Sequence, residues 1–266
     1  MTNMTTTRSH DDARVLFDTM AGEYEDRVEQ RQSSFSTLIF QRRIAIVQDF
    51  INRCPPSGAV LDYGMGPAVF APHCVGRGMR YTGVDIAPEM VRLAQNMNLP
   101  RAEFVVSDLE GLKPWRGKMD LTLAIGLIDY LEHPEEGIAT LASCVKPGGR
   151  IVISFRNRNS VPRMVRDTSK VIWRAVGLPT DSGHNAFASS VHEHSFSFSR
   201  NLKPWLAKRG FGEFDVRYFN CSPLFFNFPL PQPILKKWYK LDTAISGRGT
   251  RMMCSGGVMI AQRKLS

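Results

Sequence analysis

Cysteine is scarce in this sequence, and the few cysteines are scattered. The 266 residues include five cysteines, none in a Cys-x-x-Cys pair: Cys54, Cys74, Cys144, Cys221 and Cys254. This spacing indicates neither a zinc site nor a disulfide framework, and it favours a reducing compartment, the cytoplasm. Long apolar runs are also missing, since none approaches the roughly 20 residues of a membrane-spanning helix. The polar residues 1–12 predict a flexible tail rather than a secretory signal.

The chain carries an excess of positive charge. Its hydrophobic content of 43% and charged content of 22% are typical of a soluble globular protein, but its net charge is +9. Such a charge favours anionic partners, namely nucleic acid, phosphorylated substrates or an acidic membrane surface. The Lys and Arg residues are spread along the chain, so a solvated basic surface is an equally good interpretation.

Short apolar runs alternate with helical patterns from residue 59 to residue 155. They predict strands at 59–63, 80–85, 102–106, 119–125 and 150–155, with helices such as 88–97 and 135–144 between them. Apolar strands separated by helices indicate a parallel sheet covered on both faces. With later strands at 211–219 and 257–261, the predicted fold class is α/β: a Rossmann-like, doubly wound, mostly parallel seven-stranded sheet.

The flanks of this sheet predict further helical parts within one domain, residues 13–266. We expect an N-terminal helical cap at 13–53, the sheet core at 54–155, an inserted helical lid at 156–198 and a C-terminal substrate-side half at 199–266. The segment 161–178 is basic and amphipathic. It is typical of a helix packed in the core, but it also suits a lid over an apolar substrate or a helix lying on an anionic membrane.

A glycine loop follows the first strand, in the run Asp62-Tyr63-Gly64-Met65-Gly66. Glycines at this turn let the backbone approach a ligand closely, as dinucleotide-binding proteins also do. Val69 stands where a third glycine would be expected for a dinucleotide, and Asp62 would repel a pyrophosphate. S-adenosylmethionine has no phosphate and carries an ammonium and a sulfonium. Charge complementarity therefore favours this cofactor.

Two more acidic residues follow the next strands. Asp85 ends the second strand, where a carboxylate can accept both ribose hydroxyls of an adenosine. Asp108 follows the third strand and could accept the adenine amine. Each aspartate alone also suits a helix N-cap or a turn. Since ligands of this fold bind at the carboxyl ends of the strands, three acids in that position favour a binding site.

Residues 59–155 resemble the cofactor-binding core of class I S-adenosylmethionine-dependent methyltransferases. The resemblance implies that the loop with Asp62, Gly64 and Gly66 contacts the methionine portion and that Asp85 binds the ribose. It further implies adenine contacts from the Ser107-Asp108-Leu109 loop, and an N-terminal cap helix that brings a tyrosine to the active site. The remaining cofactor contacts expected from it are Tyr24, Ile86, Met90 and Ile125. Two pairs depart from the family pattern: Pro67-Ala68 and Asp129-Tyr130.

Candidate catalytic residues lie near the end of the predicted lid and after the fourth strand. His192 and His194 alternate as on an extended chain, so they would point the same way and could supply a general base. Packing or loop hydrogen bonds are an equally good account of them, and two histidines do not predict a metal. Asp129 and Tyr130 could touch the substrate or cap the next helix, whereas His133 is expected in a surface turn.

These patterns predict a methyltransferase that acts on an oxygen, or a nitrogen, of a small apolar or aromatic molecule. The apolar segment 222–240 suits the wall of such an acceptor's pocket. A nucleic-acid methyltransferase is one alternative, although the sequence has no Asn/Asp-Pro-Pro-Tyr/Phe motif and no Pro-Cys nucleophile. A non-catalytic cofactor-binding protein is another. The expected partner is a small-molecule acceptor, and the sequence gives no firm sign of nucleic acid as a partner. Contact of residues 161–178 with a membrane surface is the less favoured alternative to packing of that segment in the core.

Overall fold

The computed structural model describes residue 15 and residues 35–165, 194–221, 231–245 and 251–265. Seven strands and six α-helices have both ends within these ranges. The strands are β1 (Ala59–Tyr63), β2 (Arg80–Asp85), β3 (Ala102–Val106), β4 (Met119–Ala124), β5 (Val145–Arg156), β6 (Phe211–Phe219) and β7 (Gly256–Arg263). The helices are α1 (Phe35–Asn52), α2 (Ala71–Gly76), α3 (Pro88–Gln95), α4 (Pro134–Cys144), α5 (Lys203–Ala207) and α6 (Gln232–Ile245).

The strands form one seven-stranded sheet in the order β3-β2-β1-β4-β5-β7-β6. Neighbouring strands from β3 to β5 are parallel, whereas β7 pairs antiparallel with both β5 and β6. The predicted α/β, mostly parallel sheet is therefore confirmed. Because β1 lies between β2 and β4, chain connections leave it in opposite directions, which creates the crevice where this class of fold binds ligands.

Alternating side chains of the sheet form two apolar layers. Val60, Leu121 and Val152 pack on one face with apolar residues of α1, including Val47 and Phe50. On the opposite face, residues such as Leu61, Ile151 and Ile153 pack with Ile138 and Leu141 of α4 and Leu206 of α5. Burial on both faces explains why these strands read as continuous apolar runs in the sequence.

One pair of cysteines corrects the expectation from the sequence. Cys221 and Cys254 form a disulfide, with their Cα atoms 3.9 Å apart. Cys221 follows β6 and Cys254 precedes β7, and the antiparallel pairing of these strands places Phe219 opposite Gly256. The two cysteines are 33 residues apart in the chain, so their spacing did not reveal a contact that strand pairing creates.

Parts of the predicted flanks lie outside the described residues. These parts are the cap segment with Tyr24, most of the predicted lid including His192, and residues 222–230 of the predicted pocket wall. Helix α1 belongs to the predicted cap, and residues 161–165 at the start of the basic amphipathic segment are helical. Within the described ranges, no helix combines the length and apolar character needed to cross a membrane.

Candidate active site

A large cavity opens at the carboxyl ends of β1, β2 and β4. Its empty space amounts to about 1100 Å³, part of which is open to solvent. Four structural units line it: the loop after β1, the end of β2 with the start of α3, the loop after β4, and one face of α1. The lining includes Phe40, Arg43, Ile44, Gly64, Gly66, Asp85, Ile86, Met90, Ile125, Leu127, Tyr130 and Glu132.

The loop after β1 adopts backbone conformations that favour glycine. Gly64 has a φ of +70°, and a Cβ there would lie 2.8 Å from Cδ1 of Leu127. Gly66 has a φ of +55° and lines the cavity. Ala68, one of the residues that depart from the family pattern expected from the sequence, has a φ of +51°. The loop therefore keeps the left-handed path that brings its backbone to the ligand, and the alanine adopts it at some cost in strain.

Asp85 connects the end of β2 to the glycine loop. Its Oδ2 accepts a hydrogen bond from the backbone N–H of Gly66 at 2.8 Å, and its Oδ1 accepts one from Ala87 at 3.0 Å. The side chain is 7% exposed and lines the cavity. A carboxylate has about four lone-pair directions, so each of its oxygens can accept more than one hydrogen bond. The geometry suits the predicted contact with a ribose.

Asp62 lies behind the loop rather than in the lining. The side chain is 1% exposed, and the Tyr81 hydroxyl donates to its Oδ2 at 2.6 Å. Burial is the main cause that raises the pKa of Asp62 from 3.8 to about 7, the nearby Asp85 carboxylate acts in the same direction, and the Tyr81 hydrogen bond opposes both. Among the described residues, no group hydrogen-bonds to its Oδ1. Among the residues that the structure describes, the carboxylates in the lining of the cavity are those of Asp85 and Glu132.

The predicted adenine loop adjoins Asp85 without joining the lining residues. The backbone N–H of Ser107 donates to the carbonyl of Asp85 at 3.0 Å, which places the ends of β2 and β3 side by side. Oδ1 of Asp108 accepts from the N–H of Gly111 at 3.0 Å and stabilises the following 3₁₀ turn. Leu109 packs against the core. Adenine recognition by this loop stays a prediction.

Arg43 of α1 is a lining residue that the sequence interpretation missed. Its guanidinium lies 5.3 Å from the ring centroid of Phe40, and a Cβ on Gly126 would come within 2.9 Å of its Nη1. Among the described residues it has no hydrogen-bond or ion-pair partner. The methionine portion of S-adenosylmethionine carries a carboxylate, and this guanidinium would hold it. The apolar periodicity of α1 gave no signal for such a role.

Asp129, a predicted catalytic residue, is turned into the protein. Its Oδ1 accepts the backbone N–H of Arg156 at 3.0 Å, and its Oδ2 lies 3.8 Å from Nε of the same arginine. Burial raises the pKa of Asp129 to about 6, against an opposing effect of the Arg156 hydrogen bond. The carboxyl group is not among the lining residues of the cavity. These contacts connect the loop after β4 to the end of β5.

The backbone of His194 is tied to the same loop. Its N–H donates to the carbonyl of Asp129 at 2.7 Å, and its ring centroid lies 6.2 Å from that of Phe196. His194 does not line the cavity. His133, predicted in a surface turn, is exposed just before α4. Catalysis by His192 or His194 therefore stays a prediction, with only His194 placed by the described residues.

Tyr130 and Glu132 line the cavity where Asp129 does not. Nη2 of Arg156 donates to the Tyr130 hydroxyl at 2.8 Å, and the guanidinium lies 5.2 Å from the centre of its ring. Oε2 of Glu132 is buried without a hydrogen-bond partner among the described residues. Asp129, Tyr130 and Glu132 all carry an acid or hydroxyl group within four residues, and no sequence pattern indicates which of them faces the cavity. Their directions depend on the 3₁₀ turn at 128–130.

Residues 36–212 match the family described as a methyltransferase domain. The chain belongs to this family, within the class I S-adenosylmethionine-dependent methyltransferases. Among curated proteins, a ubiquinone biosynthesis O-methyltransferase of Xanthomonas axonopodis pv. citri (strain 306) is 31% identical over 111 residues, covering 40% of this chain and 46% of that protein. The chain thus spans about half the length of such relatives.

Solved structures share the fold at low sequence identity. Magnesium protoporphyrin IX methyltransferase from Synechocystis PCC 6803, with bound S-adenosylhomocysteine, has a TM-score of 0.62 and 16% identity, covering 96% of this chain and all of its own. A methyltransferase from Thermotoga maritima has a TM-score of 0.60 and 18% identity, covering 94% and 99%. The residues of the cavity fit the cofactor of this class: Asp85 offers a carboxylate for the ribose, and Arg43 a cation for the amino-acid carboxylate.

Proposed function

We propose that the protein transfers a methyl group from S-adenosylmethionine to a hydroxyl oxygen, or a nitrogen, of a small apolar or aromatic molecule. The observation that carries the proposal is the apolar lining that the cavity has besides Gly64, Gly66 and Asp85. This lining consists of apolar and aromatic side chains from α1 and the loop after β4, including Phe40, Ile44, Leu127, Tyr130 and Leu131. Relatives named as O-methyltransferases support oxygen as the first choice.

S-adenosylmethionine supplies a methyl group already activated on a sulfonium, so the protein has chiefly to position the acceptor. Arg43 and Asp85 would bind the two ends of the cofactor. The apolar side chains of the cavity would bind the body of the acceptor and exclude water from it. An apolar lining gives such a molecule a large buried area, which supplies most of its affinity.

Glu132 is the proposed proton acceptor. Its buried Oε2 lacks a hydrogen-bond partner among the described residues, and a buried carboxylate oxygen is costly to leave without one. An acceptor hydroxyl would donate to this oxygen. As the new O–CH₃ bond forms and the S–CH₃ bond breaks, the hydroxyl proton passes to Glu132 and S-adenosylhomocysteine remains as the neutral thioether. General-base help of this kind contributes roughly 10²–10⁴-fold to a rate.

The proposal is tested by product formation from a panel of catechol, 4-hydroxybenzoate, a long-chain alkylphenol and the matching anilines, followed by mass spectrometry. With an accepted phenol, Glu132→Gln is expected to lower kcat by about 100-fold while leaving the Kd for S-adenosylhomocysteine unchanged. Glu136→Gln, an exposed glutamate on α4, is the matched control and should behave as wild type. Full activity in Glu132→Gln would contradict the proton-acceptor role.

The same assay tests the alternatives. Cofactor binding without methylation of any acceptor would favour a non-catalytic binding protein. Alanine substitutions at His192 and His194 are expected to lower turnover more than cofactor affinity if either histidine is the base. Equal losses of turnover and affinity would instead indicate a role in folding.

A further inference from the structure

We infer that an exposed apolar surface rimmed by arginines docks on an anionic lipid membrane. The apolar side chains of this surface, the apolar–basic patch, are Val161, Met164, Val165, Met252 and Met253, and its cations are Arg158 and Arg251. It is built from two remote chain segments, one after β5 and one before β7. The backbone N–H of Val161 donates to the carbonyl of Met252 at 2.8 Å and holds the segments together.

Hydrogen bonds of Asn157, the residue after β5, hold the patch against the end of this strand. Asn157 is fully buried, and its side-chain amide donates to the carbonyls of Arg251 and Cys254, the latter at 2.8 Å. Its neighbour Arg156 donates to Tyr130 in the lining of the cavity. A short and well-connected path therefore joins the patch to this part of the lining.

Exposed apolar side chains concentrate in this patch. Eleven large apolar side chains are exposed among the described residues, and five of them lie here. Their exposed fractions are 41% for Val161, 58% for Met164, 55% for Val165, 54% for Met252 and 52% for Met253. Single exposed apolar residues are ordinary, whereas a group of them in one place marks an interaction surface.

The charges around the patch favour lipid headgroups. Arg158 and Arg251 are both exposed, and neither guanidinium has an ion-pair partner among the described residues. Arg156, a few residues away, is paired with Asp129 instead. Exposed arginines beside an apolar surface attract anionic lipids, and the net charge of +9 adds to that attraction.

Vesicle co-sedimentation tests this docking. The wild-type protein should pellet with vesicles of phosphatidylcholine and phosphatidylglycerol, less with phosphatidylcholine alone, and less when NaCl is raised from 0.1 M to 0.5 M. The double variant Met252→Ser, Met253→Ser should lower the partition coefficient by at least about tenfold, because two apolar side chains no longer insert. The double variant Arg158→Gln, Arg251→Gln should lower it by about tenfold on anionic vesicles only.

A matched control is available on α6. Ile234 is 49% exposed and Leu241 45% exposed, beside the exposed lysines 236, 237 and 240. The variant Ile234→Ser, Leu241→Ser should retain vesicle binding, and all variants should retain wild-type affinity for S-adenosylhomocysteine. Loss of binding in this control alone would place the contact on α6 and overturn the inference. The inference would also be overturned if the wild-type protein failed to pellet with anionic vesicles. It would likewise be overturned if the protein bound RNA in a gel shift instead of vesicles, and the arginine substitutions weakened that RNA binding.

Discussion

The two ends of the cavity are built in different ways. The cofactor end takes Gly64, Gly66 and Asp85 from two consecutive strand–loop units. The pairing of β1 with β2 and the hydrogen bond from the N–H of Gly66 to the Asp85 carboxylate connect these units directly. The end beside α1 takes Phe40 and Arg43 from α1 and Glu132 from the loop after β4, which lie about ninety residues apart in the chain. The cofactor end therefore depends on two strand–loop units that are adjacent in the chain, whereas the end beside α1 depends on the packing of segments that are remote in the chain. The predictions below separate the two ends.

The largest effect on ligand affinity is expected from substitution of Asp85. Asp85→Ala should weaken binding of S-adenosylhomocysteine by about 100-fold, because the ribose loses its charged hydrogen-bond acceptor and the loop loses its tie to Gly66. Asp85→Asn keeps one carbonyl oxygen and should give an intermediate loss. Isothermal titration measures both. Glu89→Ala, an exposed acid four residues along, should bind like wild type. Unchanged affinity in Asp85→Ala would contradict the ribose assignment.

A smaller loss of ligand affinity is expected from substitution of Arg43, and only for ligands that carry the amino-acid group. Arg43→Met should weaken binding of S-adenosylhomocysteine by about tenfold, since one charge-assisted hydrogen bond to its carboxylate is lost. Binding of 5′-methylthioadenosine, which has no amino-acid group, should not change. Arg42→Met is the matched control, because the neighbouring Arg42 faces Asp242 at 3.6 Å. If Arg43→Met weakened both ligands equally, the arginine would have a structural role instead.

The sheet could be predicted closely because its signals are local. Four strands, β1, β2, β3 and β6, have the predicted bounds, since apolar runs that end in turn residues specify strands directly. The extension of β5 back to Val145 was missed, because Lys146-Pro147-Gly148-Gly149 reads as a turn. The Cys221–Cys254 bond was missed because strand pairing, not spacing, brings those cysteines together.

The site was predictable at the strand ends and not beyond them. Gly64, Gly66 and Asp85 follow from the rule that ligands bind at the carboxyl ends of parallel strands. Arg43 depends on how α1 crosses the sheet, and the choice of Glu132 over Asp129 depends on a turn whose side-chain directions no periodic pattern specifies. Asp62 shows the same limit, because its position in the glycine loop was clear and its burial behind the loop was not.

The smallest expected effect concerns Asp62, and it depends on pH. Its pKa in the folded protein is about 7 against an ordinary 3.8, so its carboxyl group favours folding in the protonated form. That contribution is complete below about pH 4 and is lost as the pH rises through 7. Asp62→Asn imitates the protonated form and can still accept from Tyr81. It should raise Tm by about 4 °C at pH 8, and by less at pH 5.

Thermal unfolding at the two pH values measures this difference, with the wild type as reference at each. A gain in Tm that is equal at pH 5 and pH 8 would show that the buried charge is not its cause. Titration of the same variant with S-adenosylhomocysteine separates stability from binding. Because Asp62 lies behind the lining, its substitution should change the Kd less than about threefold, well below the effect at Asp85. A loss as large as that of Asp85→Ala would place the Asp62 carboxylate in direct contact with the ligand's ammonium group.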